Sequence, residues 1–398
     1  MTQLSDTGQS RDDGAVATVG RARRTLAVAG AAHALHDGFT DLIYLLLPIW
    51  QAEFALGYGM LAVLRGFYAG AMAGFQVTSG RLAERFGGRF VLALGTALAG
   101  VGYAVAGSSG GLAGVCVGLF ISGVGSSTQH PLASAAVARA YGQASRGPLG
   151  TYNFAGDIGK AALPAATSLL LTLVSWRASL WLVALLGLLM AVAIALLMPR
   201  IANTAVPHER PDASGQGRGG FFLLLAIGML DSGVRMGFLT FLPFLLTHKG
   251  ASLPTIGFAL ALVFMGGALG KFSCGWLGDR IGVLRTVLLT EIGTAAGIAA
   301  VLLLPLVPTL LVLPLLGLML NGTSSVLYGT VPELTSAHRT ERAFAIFYTG
   351  TIGSGALSPV LYGVLGDAVG VNPATGAVAV AALATCPLAV LLARHLAR

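Results

Sequence analysis

Twelve apolar runs, each about as long as a bilayer is thick, constrain this chain more than any other feature of its sequence. A spanning helix needs about 20 mainly apolar residues. Runs of that length lie at about 25–50, 58–80, 90–107, 111–137, 148–173 and 177–199. Six more follow at about 221–247, 254–277, 284–305, 308–331, 342–366 and 374–393. The expected fold is all-α and integral to the membrane, with about twelve transmembrane helices in two pseudo-symmetric six-helix bundles. The expected organisation is a cytoplasmic N-terminal tail (1–24), an N-terminal bundle (25–199), a cytoplasmic linker (200–220) and a C-terminal bundle (221–398). Composition agrees, because only 10% of residues are charged, whereas a water-facing surface requires about a quarter. The 56 Gly fit helices whose backbones approach closely.

The formal charge of +8 does not point to nucleic acid. No basic cluster lies on a polar helix, and basic residues are not interleaved with aromatics as in single-strand binders. Cys116, Cys274 and Cys386 fall inside separate apolar runs and read as small packing residues. Arg21, Arg23 and Arg24 precede the first run with no small-residue cleavage site after it, so that helix is expected to stay. A P-loop and an H-E-x-x-H motif are both missing from the sequence. No nucleophile with a positioned base is evident, so neither an ATP-driven pump nor a membrane hydrolase is expected.

The two halves repeat. Pro48 and Pro243, Gly80 and Gly275, and Pro164 and Pro359 are each separated by 195 residues. Three landmarks on different helices with one offset indicate duplication. If the N-terminus is cytoplasmic, the Lys and Arg outside the apolar runs fall on the cytoplasmic side except Arg177 and Lys249. The positive-inside rule then places both termini in the cytoplasm. The expected location is the cell membrane, the inner one in a Gram-negative cell.

Gly80-Arg-Leu-Ala-Glu-Arg-Phe-Gly-Gly-Arg89 follows the second run, and Gly275-Trp-Leu-Gly-Asp-Arg-Ile-Gly282 follows the eighth. Both resemble the G-x-L-A-D-R-x-G-R loop of the major facilitator superfamily, whose fold is two six-helix bundles around a midway cargo site. The resemblance implies a conformational latch made by Gly80, Glu84, Arg85, Gly87, Arg89, Gly275, Asp279, Arg280 and Gly282. In it Glu84 or Asp279 caps a helix N-terminus in the opposite half. Gly80 and Gly275 would permit tight helix contact, and Gly87 and Gly282 a sharp turn. His33-Ala-Leu-His-Asp37 in run one and Gly123-Val-Gly-Ser-Ser-Thr-Gln-His-Pro131 in run four are similar to the fosmidomycin-resistance branch of exporters. Many proton-coupled members carry an Arg in run four where this chain has Leu119, so coupling here is expected to use other ionisable groups.

An ionisable side chain at bilayer depth costs at least a few kcal/mol and normally faces a cavity or a partner. His33, Asp37, Asp41 and Tyr44 form one helical stripe. Arg65 shares a face with Tyr68, Met72 and Gln76; Asn153, Asp157 and Lys160 lie together, and Asp231 is one turn from Arg235. The candidates for proton coupling or a substrate cavity are Asp37, Asp41, Arg65, His130, Asp157, Lys160, Asp231 and Arg235. Asp157 with Lys160, and Asp231 with Arg235, also read as self-neutralising pairs. His130 before Pro131 reads equally as a ligand or as part of a helix bend. Lys271 and Glu291 are expected to be structural, Glu291 near a helix end. Asp37 is the expected proton carrier, with Arg65 and either Lys160 or Arg235 attracting an anionic or polar part of the cargo.

The expectation is a monomeric secondary transporter in a lipid bilayer, exporting a small polar compound or drug by alternating access with protons as coupling ion. It needs no cofactor, metal or nucleic acid. The alternatives are an importer of a small organic anion and a non-transporting membrane receptor or scaffold.

Overall fold

The structure is a computed structural model that describes residues 6–200, 218–335 and 340–396. The linker core, 201–217, and Arg339 and Arg398 of the basic set lie outside the described residues. The described residues are mostly helical, and no strand occurs among them. The helices of the first half are α1 (Asp6–Phe54), α2 (Tyr58–Phe86), α3 (Gly88–Ser108), α4 (Leu112–Ser126), α5 (Gln129–Tyr141), α6 (Arg146–Leu170) and α7 (Trp176–Leu197). Those of the second are α8 (Arg218–His248), α9 (Leu253–Ile281), α10 (Val283–Leu303), α11 (Leu306–Thr330), α12 (Thr340–Val369) and α13 (Val371–Leu396). Helices α4 and α5 divide one apolar run, so twelve runs give twelve helical passes.

Ten passes are long and apolar enough to cross a membrane by length and composition. The other two are α1 and α6. Their shortfall has a local cause: α1 carries His33, His36, Asp37 and Asp41, and α6 carries Asn153, Asp157 and Lys160. Polar residues that lower hydropathy mark helices with a face turned away from lipid.

The fourth pass was expected to be continuous over about 111–137, but it breaks at Ser127–Thr128. Ser127 Oγ donates to the Val124 carbonyl and Thr128 Oγ1 to the Gly125 carbonyl. Such local bonds compete with the helical ladder. Pro131 then falls in the first turn of α5, where its missing N–H is harmless.

Repetition extends into the backbone. Gly87 (φ 91°) and Gly282 (φ 87°) both adopt the positive φ that a sharp turn requires. Ala55 (φ 51°) and Gly250 (φ 80°) also share a positive φ. Each pair is 195 residues apart, the offset of the proline landmarks. The expected tight contacts at Gly80 and Gly275 are not found, since a Cβ at either would meet nothing within 4 Å.

Close approach occurs at other glycines. A Cβ on Gly125 would lie 2.4 Å from Gly95 O and Ala99 N, and one on Gly118 2.6 Å from Ala106 N and Gly102 O. Gly95 and Gly102 on α3, with Gly118 and Gly125 on α4, therefore bring two backbones together. In the second half Gly266 and Gly270 on α9 abut the Pro314 and Leu318 carbonyls of α11, and Gly317 abuts Val263 O. Lipid offers no hydrophobic drive for helix association, so van der Waals contact of small residues supplies it. Opposite faces are greasy: Leu303, Val307, Leu311 and Leu315 are 84%, 67%, 77% and 58% exposed.

Contacts divide the chain into two compact units. The first holds 1–38, 71–159 and 180–205, and the second holds 39–70, 160–179 and 206–398. Within the second unit, Asp367 of α12 accepts from the backbone N–H groups of Tyr58 (2.6 Å) and Gly59 (3.0 Å) at the start of α2. The same unit ties Glu53 at the end of α1 to Arg177 (2.6 Å) and to the Trp176 indole N–H. The hydrogen bond from Arg177 holds the Glu53 carboxyl below the usual carboxylate range.

Gly125→Ala is expected to lower the melting temperature of the detergent-solubilised protein by several degrees, an overpacking cost of about 1–3 kcal/mol. Gly70→Ala, where the new methyl meets open space, should not lower it; equal losses in both would contradict the packing argument. For Glu53, the depressed carboxyl contributes stability above the unfolded-chain value of about 4.3, and that contribution is lost as pH falls through the lower folded value. Glu53→Gln should therefore melt below the wild type at neutral pH, with the gap closing as pH falls below the usual carboxylate range. A gap independent of pH would overturn that assignment.

Candidate functional site

Ionisable and polar groups inside the helices gather in two places, one in each unit.

In the first unit the H-x-x-x-D stripe of α1 meets the broken fourth pass. His36 is buried, with Nδ1 3.0 Å from Ser126 Oγ and Nε2 3.0 Å from Thr96 Oγ1. Thr96 Oγ1 donates its own hydrogen to Leu92 O at 2.9 Å, so it accepts from His36 Nε2–H, and Nδ1 accepts from Ser126. His36 is thus a core histidine with both ring nitrogens hydrogen-bonded.

His33 differs. Its Nδ1 lies 2.9 Å from the Tyr152 carbonyl, an acceptor only, so Nδ1 carries the hydrogen. The ring stacks on Tyr152 with centroids 4.1 Å apart. Nε2 is buried without a hydrogen-bond partner, 3.4 Å from Asp37 Oδ2. The other Asp37 oxygen, Oδ1, is 3.9 Å from His130 Nε2 at the start of α5, whose side chain is 45% exposed. Glycine at 156 opens the space: a Cβ there would sit 2.7 Å from Asp37 Oδ2 and 2.8 Å from His33 Cε1. Histidines distant in sequence therefore come together, which spacing along the chain had not suggested. Asp157 on α6 is also buried in this unit.

In the second unit Arg65 is buried, with Nη2 3.1 Å from Met236 Sδ and the guanidinium 4.8 Å from the Tyr44 ring centroid. Tyr44 donates to the same sulfur at 3.3 Å. Asp41 and Arg235 also act electrostatically on Tyr44, so Asp41, Arg65 and Arg235 share one neighbourhood. Nε of Arg65 and Nε of Arg235 are buried without hydrogen-bond partners. Lys160 is half-buried in this unit.

Asp231 interacts with Arg235 one turn away, and its carboxyl acts on that of Glu291 on α10, which is buried beside it. Glu291 is 1% exposed in the middle of α10, not near a helix end as expected. The Thr323 and Thr385 hydroxyls lie near it, donating to Thr290 Oγ1 and Ala382 O, and Cys386 lies in its field. Asp231 and Arg235 line a small recess of about 10 Å³, room for about one water, with Ser232, Ser324 and Tyr328.

The latch residues are spread over the ends of α2 and α9. Glu84, Arg85, Asp279 and Arg280 are exposed. Arg85 lies over the Phe86 ring at 5.3 Å and Arg280 over Trp276 at 4.2 Å. Arg89 donates to Met198 O at 3.4 Å.

Among the described residues, helical passes that are mostly long and apolar enough to cross a membrane bury ionisable groups within each unit. The family model of the Major Facilitator Superfamily matches residues 29–227 and 221–397. The chain belongs to that superfamily and is a transporter, not an enzyme. A bacterial homologue of the human lysosomal transporter Spinster, in an inward-facing and occupied conformation, superposes with a TM-score of 0.76 at 15% identity, over 93% of this chain and 96% of that one. The nucleoside transporter NupG gives 0.77 at 12% identity, over 93% and 99%. The human organic anion transporter MFSD10 gives 0.65 at 18%, over 92% and 99%. These likenesses establish the fold. No curated relative matches at the sequence level.

Proposed function

We propose that the chain is a proton-coupled exporter of a small polar compound or drug, of the fosmidomycin-resistance type, working by alternating access with both termini cytoplasmic. The observation that carries the coupling is the buried contact between Asp231 and Glu291. Two ionised carboxylates that act on one another away from water repel, which suits the pair to holding one proton and releasing it. Arg235, Tyr328, Thr323, Thr385 and Cys386 face the pair. Release of that proton leaves a second negative charge beside the recess and strengthens the hold of Asp231 on Arg235. The pair takes the place of the Arg that many relatives carry where Leu119 stands.

The unsatisfied Nε groups of Arg65 and Arg235 support a cargo with an anionic or acceptor-rich end. The same guanidiniums favour a second reading, import of a small organic anion. Alternating access is supported by Asp367, which ties the start of α2 to the second half through two amides that exchange of access would have to release. Asp279, exposed at the end of α9, is placed where the latch contact of another state would be made. The branch assignment is supported by the packing of the His33–Asp37 stripe against Ser126 and His130.

In proteoliposomes of known orientation with an imposed pH gradient, Glu291→Gln should abolish gradient-driven movement of the cargo while leaving exchange without a gradient intact. Retention of pH-driven transport in both Glu291→Gln and Asp231→Asn would remove the pair from coupling. The direction of net movement in inside-out vesicles separates export from import.

A further inference from the structure

We propose that His33, Asp37 and His130 bind a divalent transition-metal cation of the Zn²⁺ or Co²⁺ class. This site is separate from the Asp231–Glu291 pair and does not depend on the proposed coupling.

One imidazole nitrogen from each histidine and a carboxylate oxygen of Asp37 lie within 4.8 Å of one another. The bland reading is an i,i+4 His–Asp ion pair with His130 nearby by chance. The geometry disfavours it. A charge-assisted N–H···O bond closes to about 2.7–2.9 Å, whereas His33 Nε2 and Asp37 Oδ2 stand 3.4 Å apart with no hydrogen bond between them. The Tyr152 carbonyl takes the Nδ1 hydrogen, so that in the neutral ring the lone pair of Nε2 is the one directed at the carboxylate. Two acceptors facing each other in a buried space are stabilised by a cation placed between them.

The spacing suits a metal. With bonds of about 2.0–2.1 Å in tetrahedral array, neighbouring ligand atoms stand about 3.3 Å apart. His33 and Asp37 already meet that distance at 3.4 Å, and His130 at 3.9 Å from Asp37 needs only a small swing of a half-exposed ring. The Nδ1–H···O=C bond of His33 is the outer contact that fixes tautomer and ring orientation in metal-ligating histidines. Gly156 keeps the space between the ligands open. Two imidazoles and one carboxylate select borderline cations over Mg²⁺ or Ca²⁺, which take oxygen ligands. Three protein ligands leave a position for water or a chelating group on a cargo.

Full-length protein purified in detergent and stripped with EDTA should take up one Zn²⁺ in titration calorimetry. Bound Co²⁺ should give the intense visible absorption of a tetrahedral site. His130→Ala changes an exposed ligand and Gly156→Ala fills the space without removing one, so each can be scored even if buried variants misfold. Each should weaken Zn²⁺ binding at least tenfold, as should His33→Ala and Asp37→Asn, whereas Glu84→Gln should not. Wild-type binding that survives both His130→Ala and Gly156→Ala overturns the site, as does an absence of Zn²⁺ binding in the folded wild type. Loss of proton coupling in Glu291→Gln with Zn²⁺ binding unchanged would keep the two sites distinct.

Discussion

Charge held away from water is the constraint on which this structure depends. Asp37, Asp41, Arg65, Asp157, Asp231 and Glu291 are each 7% exposed or less inside helices that otherwise carry apolar side chains. An ionised group there is tolerated when another polar group or a wet recess takes over the role of solvent. Each residue accordingly has company: Asp37 has two imidazoles, Arg65 has Tyr44 and Met236, and Asp231 has Arg235 and Glu291.

Glycine makes the closeness possible. The α3–α4 and α9–α11 crossings place backbone against backbone, and the first positions the broken pass whose Ser126 and His130 face α1. Leucine and valine are exposed along helices such as α11, while Asp37, Arg65 and Glu291 are buried. That arrangement reverses the pattern of a water-soluble protein, as a hydrocarbon surrounding demands.

Much of this was legible in the sequence. Run length gave the passes, and the 195-residue offset anticipated paired prolines and, beyond them, the paired turns at Gly87 and Gly282. Periodicity placed His33, Asp37, Asp41 and Tyr44 on one stripe. What escaped were facts of tertiary packing. No local signal says that His130 swings beside His33, since the two share neither helix nor spacing. Glu291 looked peripheral because the register of α10 depends on its neighbours. Gly80 and Gly275 stand in open space, while Gly95, Gly118 and Gly125, which no motif singled out together, make the close crossing. Hydroxyls at 127 and 128 that bond back to their own helix caused the break in the fourth pass, and apolar run length does not register that competition.

The account stands on polar faces that are wet while apolar faces of the same helix meet lipid. Helix α11 offers both, with Ser324 lining the recess and Leu311 77% exposed on the apolar side. In a background with Cys116, Cys274 and Cys386 changed to Ser, Ser324→Cys and Leu311→Cys would be treated in membranes with a charged, water-borne thiol reagent. Labelling of Ser324→Cys with Leu311→Cys silent is the predicted result. The reverse pattern, or silence at both positions with folded protein, would contradict a water-accessible recess among these helices.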